Sequence, residues 1–506
     1  MTPMDTLLHQ AETRPDHVAF IAGESEWTYR HMAVESERLA WALCARGVRC
    51  RDRVALHMAN VPEMVVAYYA CSRIGAIAAP LNVRLKAAEL QPLLQRLAPV
   101  LYLGQAELYS AIDGIDPDII GANARFVVGA IEDGEGRRED DQSWDTLVGG
   151  AVARAVLATP DVDAPAVLLT TSGTTGQPKF VAHTPATLSA TADAFAHFGL
   201  DGEQIALSAL PLVHMSGLST FLAYMRFGVP IILQERFDAD AALNAIEMHR
   251  CTWLVGLPAT IAELLRSQRE RPRDLTSLRH CLTAGDVCPP GLQQEFAELM
   301  GIPLRSLWAS TEVVGALTYG LEPGPVSRIV AGTDVCLVDD AGAQASQGEA
   351  GELLLKSPSL AAGYWDGPGR IDALLKDGWF HTGDVMRRGD NDDLWFVSRK
   401  KELIVRGGSN ISPVEVEQVL EAHPAVQAAA VVGVPDALLG QRVVGVIELA
   451  GAASSTALDD IRASAATQLA DYKLPEELHA VERIPRNAAG KIERNSLPDL
   501  AANADA

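Results

Sequence analysis

Nine residues, Thr171-Ser172-Gly173-Thr174-Thr175-Gly176-Gln177-Pro178-Lys179, bring together four hydroxyl side chains, two glycines and a lysine. Glycine lets a backbone approach an anion closely, and successive N–H groups form a concave anion site. The hydroxyls add donors and Lys179 adds a point charge. Such a loop suits a triphosphate. It is not the Gly-Lys-Ser/Thr phosphate loop, because Lys179 follows Pro178 and precedes Phe180. Five further sites carry chemistry-bearing types: Thr311-Glu312, Asp384 in a glycine turn, Arg399, Lys491 behind Gly490, and His214 between apolar residues. Each alone has an ordinary counterpart, such as a turn aspartate, a solvated charge or a packed histidine. Their meaning lies in their order along one chain.

The elements around them must hold them in place. The apolar run Ala164–Leu169 reads as a buried strand feeding the hydroxyl-rich loop. Before it, helical spacing over Tyr29–Arg46, a strand at Arg53–Met58, a helix opened by Pro62 and a strand at Ala76–Pro80 alternate. After it, strands are predicted at Ile205–Leu210, Ile231–Leu233, Trp253–Gly256 and His280–Thr283, with a helix at Ala239–His249. This rhythm predicts an α/β class with parallel-type sheets flanked by helices, and strand ends of this kind bind ligands. From about Val335 the pattern shifts to short β segments such as Glu352–Leu355 and Leu394–Val397. Beyond the charged stretch Ser398–Glu402, helices are expected at Pro413–Glu421 and Asp459–Leu469 and a strand at Ala428–Val434. We expect a large domain over 1–398 with a β subdomain, and a small mobile α+β domain over 399–506, its tail after Arg494 frayed.

At 506 residues the chain needs more than one core. A net charge of −23 argues against nucleic acid and anionic membrane as partners. Seven scattered cysteines without a CxxC pair argue against a zinc site and fit a reducing compartment. The stretch Met1–Pro15 lacks the basic start and apolar core of a signal peptide, and Met64–Pro80 is too short and too interrupted to span a bilayer. A cytoplasmic monomer or homodimer without an integral membrane segment is expected.

Nine features in one order, within a likeness that spans Pro15-Asp16 to Lys491, resemble the adenylate-forming superfamily in its acyl- and aryl-CoA synthetase branch. Asn60-Val61-Pro62-Glu63 and Pro80-Leu81-Asn82 look like its N-terminal landmarks, and Thr171–Lys179 like its phosphate loop. Pro211–His214, Thr283-Ala284-Gly285-Asp286, Trp308–Glu312, Thr382-Gly383-Asp384, Ser398–Lys401 and Pro485–Lys491 follow in the family's sequence. The resemblance implies ATP, Mg²⁺ and CoA as cofactors and a small carboxylic acid as substrate. The acid would be activated to acyl-AMP with release of pyrophosphate, then transferred to CoA.

It implies roles residue by residue. Thr171, Ser172, Gly173, Thr174, Thr175, Gly176 and Lys179 cradle phosphates. Gly285, Asp286 and Trp308 serve adenine, Asp384 and Arg399 the ribose side. Thr311 bonds the α-phosphate and Glu312 holds Mg²⁺. His214 lies beside the substrate carboxylate, Lys491 bridges it to the α-phosphate, and Lys401 is the hinge. Gly407 and Gly408 give CoA access. Met215, Gly217, Leu218 and Phe221 are expected to line an apolar pocket for a fatty or aromatic acid; Val213–Phe221 has no aspartate to hold an amino acid's ammonium. Trp308 stands where the family usually has tyrosine, Ala309 and Ser398 where it has glycine, and Thr170 where an aromatic is common. An acyl-AMP ligase that loads a carrier-protein phosphopantetheine shares every motif. A non-catalytic or luciferase-like relative is the remote alternative.

Overall fold

Apolar runs bounded by glycine and proline make buried parallel strands, and most strands of the two large sheets are of that kind. The computed structural model describes residues 1–113, 115–116, 118–121, 124–129, 142–149, 157, 160–171, 178–389, 391–406, 409–436, 439–451, 455–469, 471–487 and 490–503. Ser172, Gly173, Thr174, Thr175 and Gly176 of the expected phosphate loop, and Gly407 and Gly408, lie outside the described residues.

Two large sheets form the first part of the chain. One has seven strands in the order Leu304–Ser306, His280–Thr283, Trp253–Gly256, Ala206–Ser208, Ile231–Leu233, Val18–Ala22 and Ser25–Thr28, parallel except for the last pair. The other has nine, with Val167–Thr171 beside Ile77–Pro80 near its middle. Its strands from Val167–Thr171 through Arg53–His57 to Gln142–Ser143 are parallel, whereas Lys179–His183 and Gly363–Gly367 continue it antiparallel. One core joins the two sheets through the helices Tyr29–Ala45, Pro62–Ile74 and Met215–Phe227, burying Phe20, Ile231 and Trp253 from one sheet and Val54, Leu56 and Leu169 from the other. Pro62 starts its helix where a missing N–H costs nothing, and Gly75 ends it at φ 69°.

A third, antiparallel sheet runs from Leu317–Tyr319 to Asp334–Val338 through the central pair Leu394–Arg399 and Trp379–Arg388. A fourth is built wholly beyond residue 403, on the long hairpin Val426–Asp436 and Gly440–Leu449, backed by the helix Pro413–Glu421. The expected α/β class, β subdomain and small α+β unit are all present.

Two boundaries differ from expectation. The helix placed at Asp459–Leu469 runs Ser455–Ala465, with Leu469 buried in the turn that follows. The tail expected to fray forms a helix, Leu497–Asn503, because Leu497 is fully buried beside Ala430, Val444 and Ile484. Among the described residues no helix is long and apolar enough to cross a membrane.

Candidate active site

The strand Val167–Thr171 does not run into a helix. It turns back as an antiparallel hairpin with Lys179–His183, placing Thr171 opposite Lys179. Both residues line a cavity of about 1670 Å³. A pocket for one drug-sized ligand is about 300–1,000 Å³, so this one has room for a nucleotide and a second substrate. The carboxyl ends of Trp253–Gly256 and His280–Thr283 open into it through Val255, Leu257, Ala284 and Gly285, as in other open α/β sheets. Gly285 turns away from its strand at φ 89°, a conformation that favours glycine.

Asp384 lies on Trp379–Arg388 opposite Arg399, and the Arg399 Nε is 3.2 Å from its Oδ1. The Trp308 indole Nε1–H donates to Asp384 Oδ2 at 2.7 Å. Trp308 was expected to offer its face to adenine; it instead stands outside the cavity lining and holds the carboxylate by its edge. Burial pushes the Asp384 carboxyl above its ordinary range, and Arg399 and Trp308 oppose that shift. Asp286 is exposed and accepts the Val287 N–H at 2.9 Å, so it reaches the cleft through its charge rather than as lining.

Thr311 and Glu312 both line the cavity. Two residues missing from the sequence reading fix them. His183 Nε2 is 2.8 Å from the Thr311 carbonyl, which makes that nitrogen the donor. Tyr364 donates its hydroxyl to Glu312 Oε1 at 2.8 Å. A histidine closing an apolar strand and the Gly363-Tyr364-Trp365 triplet were the available signals. The donor set suits a hard cation: Glu312 is a carboxylate facing the phosphate side, and no group of three His, Cys, Asp or Glu able to hold a metal occurs among the described residues. A magnesium ion here would rest on Glu312, phosphate oxygens and water, its usual company.

Lys491 reaches this cavity from the small domain. Its N–H donates to Asn487 Oδ1 at 3.1 Å and its carbonyl accepts the Asn487 N–H at 2.8 Å. Gly490, at φ 82°, permits the tight turn. Burial depresses the ammonium's pKa and Arg399 adds to that, while Asp286, Asp384 and Glu312 pull it back. His214 caps the start of helix Met215–Phe227 and also lines the cavity. Burial, aided by Lys491, lowers it to about 4, so it stands as neutral imidazole at neutral pH.

Of the four expected pocket residues only Met215 lines the cavity. Leu218 and Phe221 point into the core between the sheets, and Gly217 packs so closely that a Cβ there would lie 2.2 Å from the Pro211 carbonyl oxygen. The helix presents Met215, Ser216, Ser219 and Thr220 instead. The helix lines the cavity with a face turned from the one expected.

The two halves meet at the turn Lys400–Glu402. Lys400 is bound to Glu352 and Asp340, each at 3.2 Å, and Glu402 lies 3.3 Å from Arg494 Nε. Arg494 also forks onto Glu417 of the helix Pro413–Glu421. Lys401 stands between a residue fastened to the large domain and one fastened to the small.

The family model for AMP-binding enzymes matches residues 7–365, and that for the AMP-binding enzyme C-terminal domain matches residues 415–491. An indoleacetate–CoA ligase of Aromatoleum aromaticum is 32% identical over 97% of this chain and 96% of its own length. A feruloyl-CoA synthase of Amycolatopsis is 31% identical over 96% of both. An anthranilate CoA ligase solved with anthranoyl-AMP superposes with a TM-score of 0.91 at 26% identity, over 100% of this chain and 98% of its own. With two family models matched in order and relatives above 30% identity over nearly the whole length, the chain belongs to the AMP-binding enzyme family.

Proposed function

We propose that this protein is an AMP-forming carboxylate–CoA ligase acting on an apolar fatty or aromatic acid. The observation that carries the reading is the meeting of Lys491 with Asp384, Arg399, Glu312 and His214 in one cavity that continues into an apolar recess. The reaction joins two anions, so positive charge and orientation are the main demands on the protein. Asp384 accepts the ribose hydroxyls, held by Trp308 and Arg399. Lys179 and Thr171 face the phosphates. A carboxylate oxygen attacks the α-phosphorus, the bond to the bridging oxygen breaks, and pyrophosphate leaves. Lys491 neutralises charge on the carboxylate and α-phosphate as they approach. Magnesium bound at Glu312 supplies charge neutralisation of the phosphate oxygens. Neutral His214 accepts no additional proton near pH 7 and shields the carboxylate from solvent. In the second half-reaction a thiolate sulfur attacks the acyl carbonyl carbon and AMP departs. Rotation about Lys401 withdraws Lys491 first.

The acid's class follows from the recess. Phe195, Phe198, Met215, Val255, Leu282 and Val314 supply apolar walls. Of the hydroxyls beside them, Thr220 Oγ1 donates to helix carbonyls, with Ser216 O at 3.0 Å and Gly217 O at 2.9 Å, and Ser219 Oγ to Ser216 O at 3.2 Å. Those six apolar side chains offer a charged acyl tail no partner. Arg226, in the last turn of the same helix, is paired with Asp193 at 2.6 Å and does not line the cavity. The seven cysteines are all free, which supports a reducing, cytoplasmic setting.

The test incubates the purified protein with ATP, Mg²⁺ and a panel of acids, with and without CoA, and reads the products by mass spectrometry. Acyl-CoA from apolar acids is expected. Acyl-AMP that never passes to CoA overturns the acceptor in favour of a carrier protein, and absence of acyl-AMP across the panel overturns the reading.

A further inference from the structure

Tyr364 touches two charged groups on the phosphate side of the cleft at once. It sits on Gly363–Gly367 opposite Val181 of the strand Lys179–His183. Its hydroxyl donates to Glu312 Oε1 at 2.8 Å, and the Lys179 ammonium lies 4.5 Å from its ring centroid. Three residues earlier the Ala361 N–H donates to the Glu312 carbonyl at 2.8 Å. One short segment therefore holds Glu312 by backbone and by side chain, and offers Lys179 an aromatic face.

Opposite charges in one cleft attract, and a direct Lys179–Glu312 pair would consume the ammonium and the carboxylate that the phosphates and their cation need. Among the described residues the two form no ion pair with each other; each is given to the tyrosine instead. A neutral hydroxyl and a π face are weaker partners than a full charge, so both groups stay available to a ligand. We propose that Tyr364 is a positioning residue that keeps Glu312 and Lys179 apart and separately aimed at magnesium–ATP, the hydroxyl serving the carboxylate and the ring serving the ammonium. The inference rests on the reading of this cleft as an ATP site.

The experiment is calorimetric titration with a non-hydrolysable ATP analogue, in Mg²⁺ and in EDTA. Tyr364→Phe removes only the hydroxyl. It is expected to bind the analogue as wild type in EDTA and to lose about tenfold of the gain that Mg²⁺ confers. Tyr364→Leu removes the ring too and is expected to weaken binding about threefold to tenfold in EDTA as well. A Phe variant with the full Mg²⁺ gain overturns the proposal, as do Phe and Leu variants that fall equally in both titrations. Should the Leu variant not fold, Tyr364→Trp, which keeps a π face without the hydroxyl, must match Phe. A wild-type protein that binds no analogue overturns the ATP-site reading instead, so the two failures are distinct.

Discussion

Replacing Lys491 with methionine keeps the length of the side chain and removes its charge. The ammonium is half-buried in a cavity walled by both domains, where a charge is screened less than on the open surface. Removing one such group aimed at developing charge costs about 2.7–4 kcal/mol, or about 10²–10³ in rate. Lys179 and Arg399 remain to hold ATP, so its KM is expected to change by less than about threefold. Burial also opposes the charge in the free protein, so the variant should melt no lower than wild type. Adenylation is read by pyrophosphate exchange, and transfer by supplying preformed acyl-AMP and CoA. The expected result is adenylation down at least about a hundredfold with transfer within about threefold of wild type. Adenylation near the wild-type rate, or both steps falling together, refutes the reasoning.

Because burial lowers the Lys491 pKa, the alkaline limb of adenylation kcat/KM should lie below the ordinary lysine value of 10.5, and that limb should vanish in the methionine variant. Activity requires the protonated form, so it falls as pH rises through the depressed value. Lys401→Pro should keep adenylation and lose thiol transfer, since proline fixes the torsion about which the domain turns; unchanged CoA turnover contradicts the hinge. Trp308→Phe removes the bond to Asp384 and should raise the ATP KM about tenfold, with Asp384 pushed further toward its neutral form; an unchanged KM leaves the indole without a role at the ribose. Phe221→Leu should lower stability by about 1–2 kcal/mol without altering acid preference, whereas Thr220→Leu should discriminate against bulky acids; the reverse pattern returns the recess to the other helix face.

The order of motifs made the fold legible because each marks a place where a strand or turn meets the cleft. Lys491 comes from a part of the chain distant from the paired Asp384 and Arg399, yet each sits in a short pattern whose chemistry is local. The face of Met215–Phe227 was not legible, because that helix is buried nearly all round and its phase is set by Pro211, whose carbonyl admits only glycine at position 217. Tyr364 and His183 carried only faint local signals, and their roles were missed for a related reason. Their partners, Glu312 and Thr311, lie 52 and 128 positions away, and a pairing made across a sheet leaves no local periodicity. The tail's helix was hidden by its composition: one buried leucine, Leu497, outweighs a run of alanine, asparagine and aspartate.

The small domain supplies more than a lysine. Ile484, Pro485, Arg486, Asn487 and Gly490 form part of the wall of the same cavity. A mixed anhydride is hydrolysed by any water that reaches it, and this wall is what stands between the intermediate and bulk solvent. On the proposed rotation about Lys401, the wall leaves together with Lys491. Between the two half-reactions, then, fidelity is a race between an arriving thiol and water, and variants that swing too freely should betray themselves by splitting ATP without making thioester.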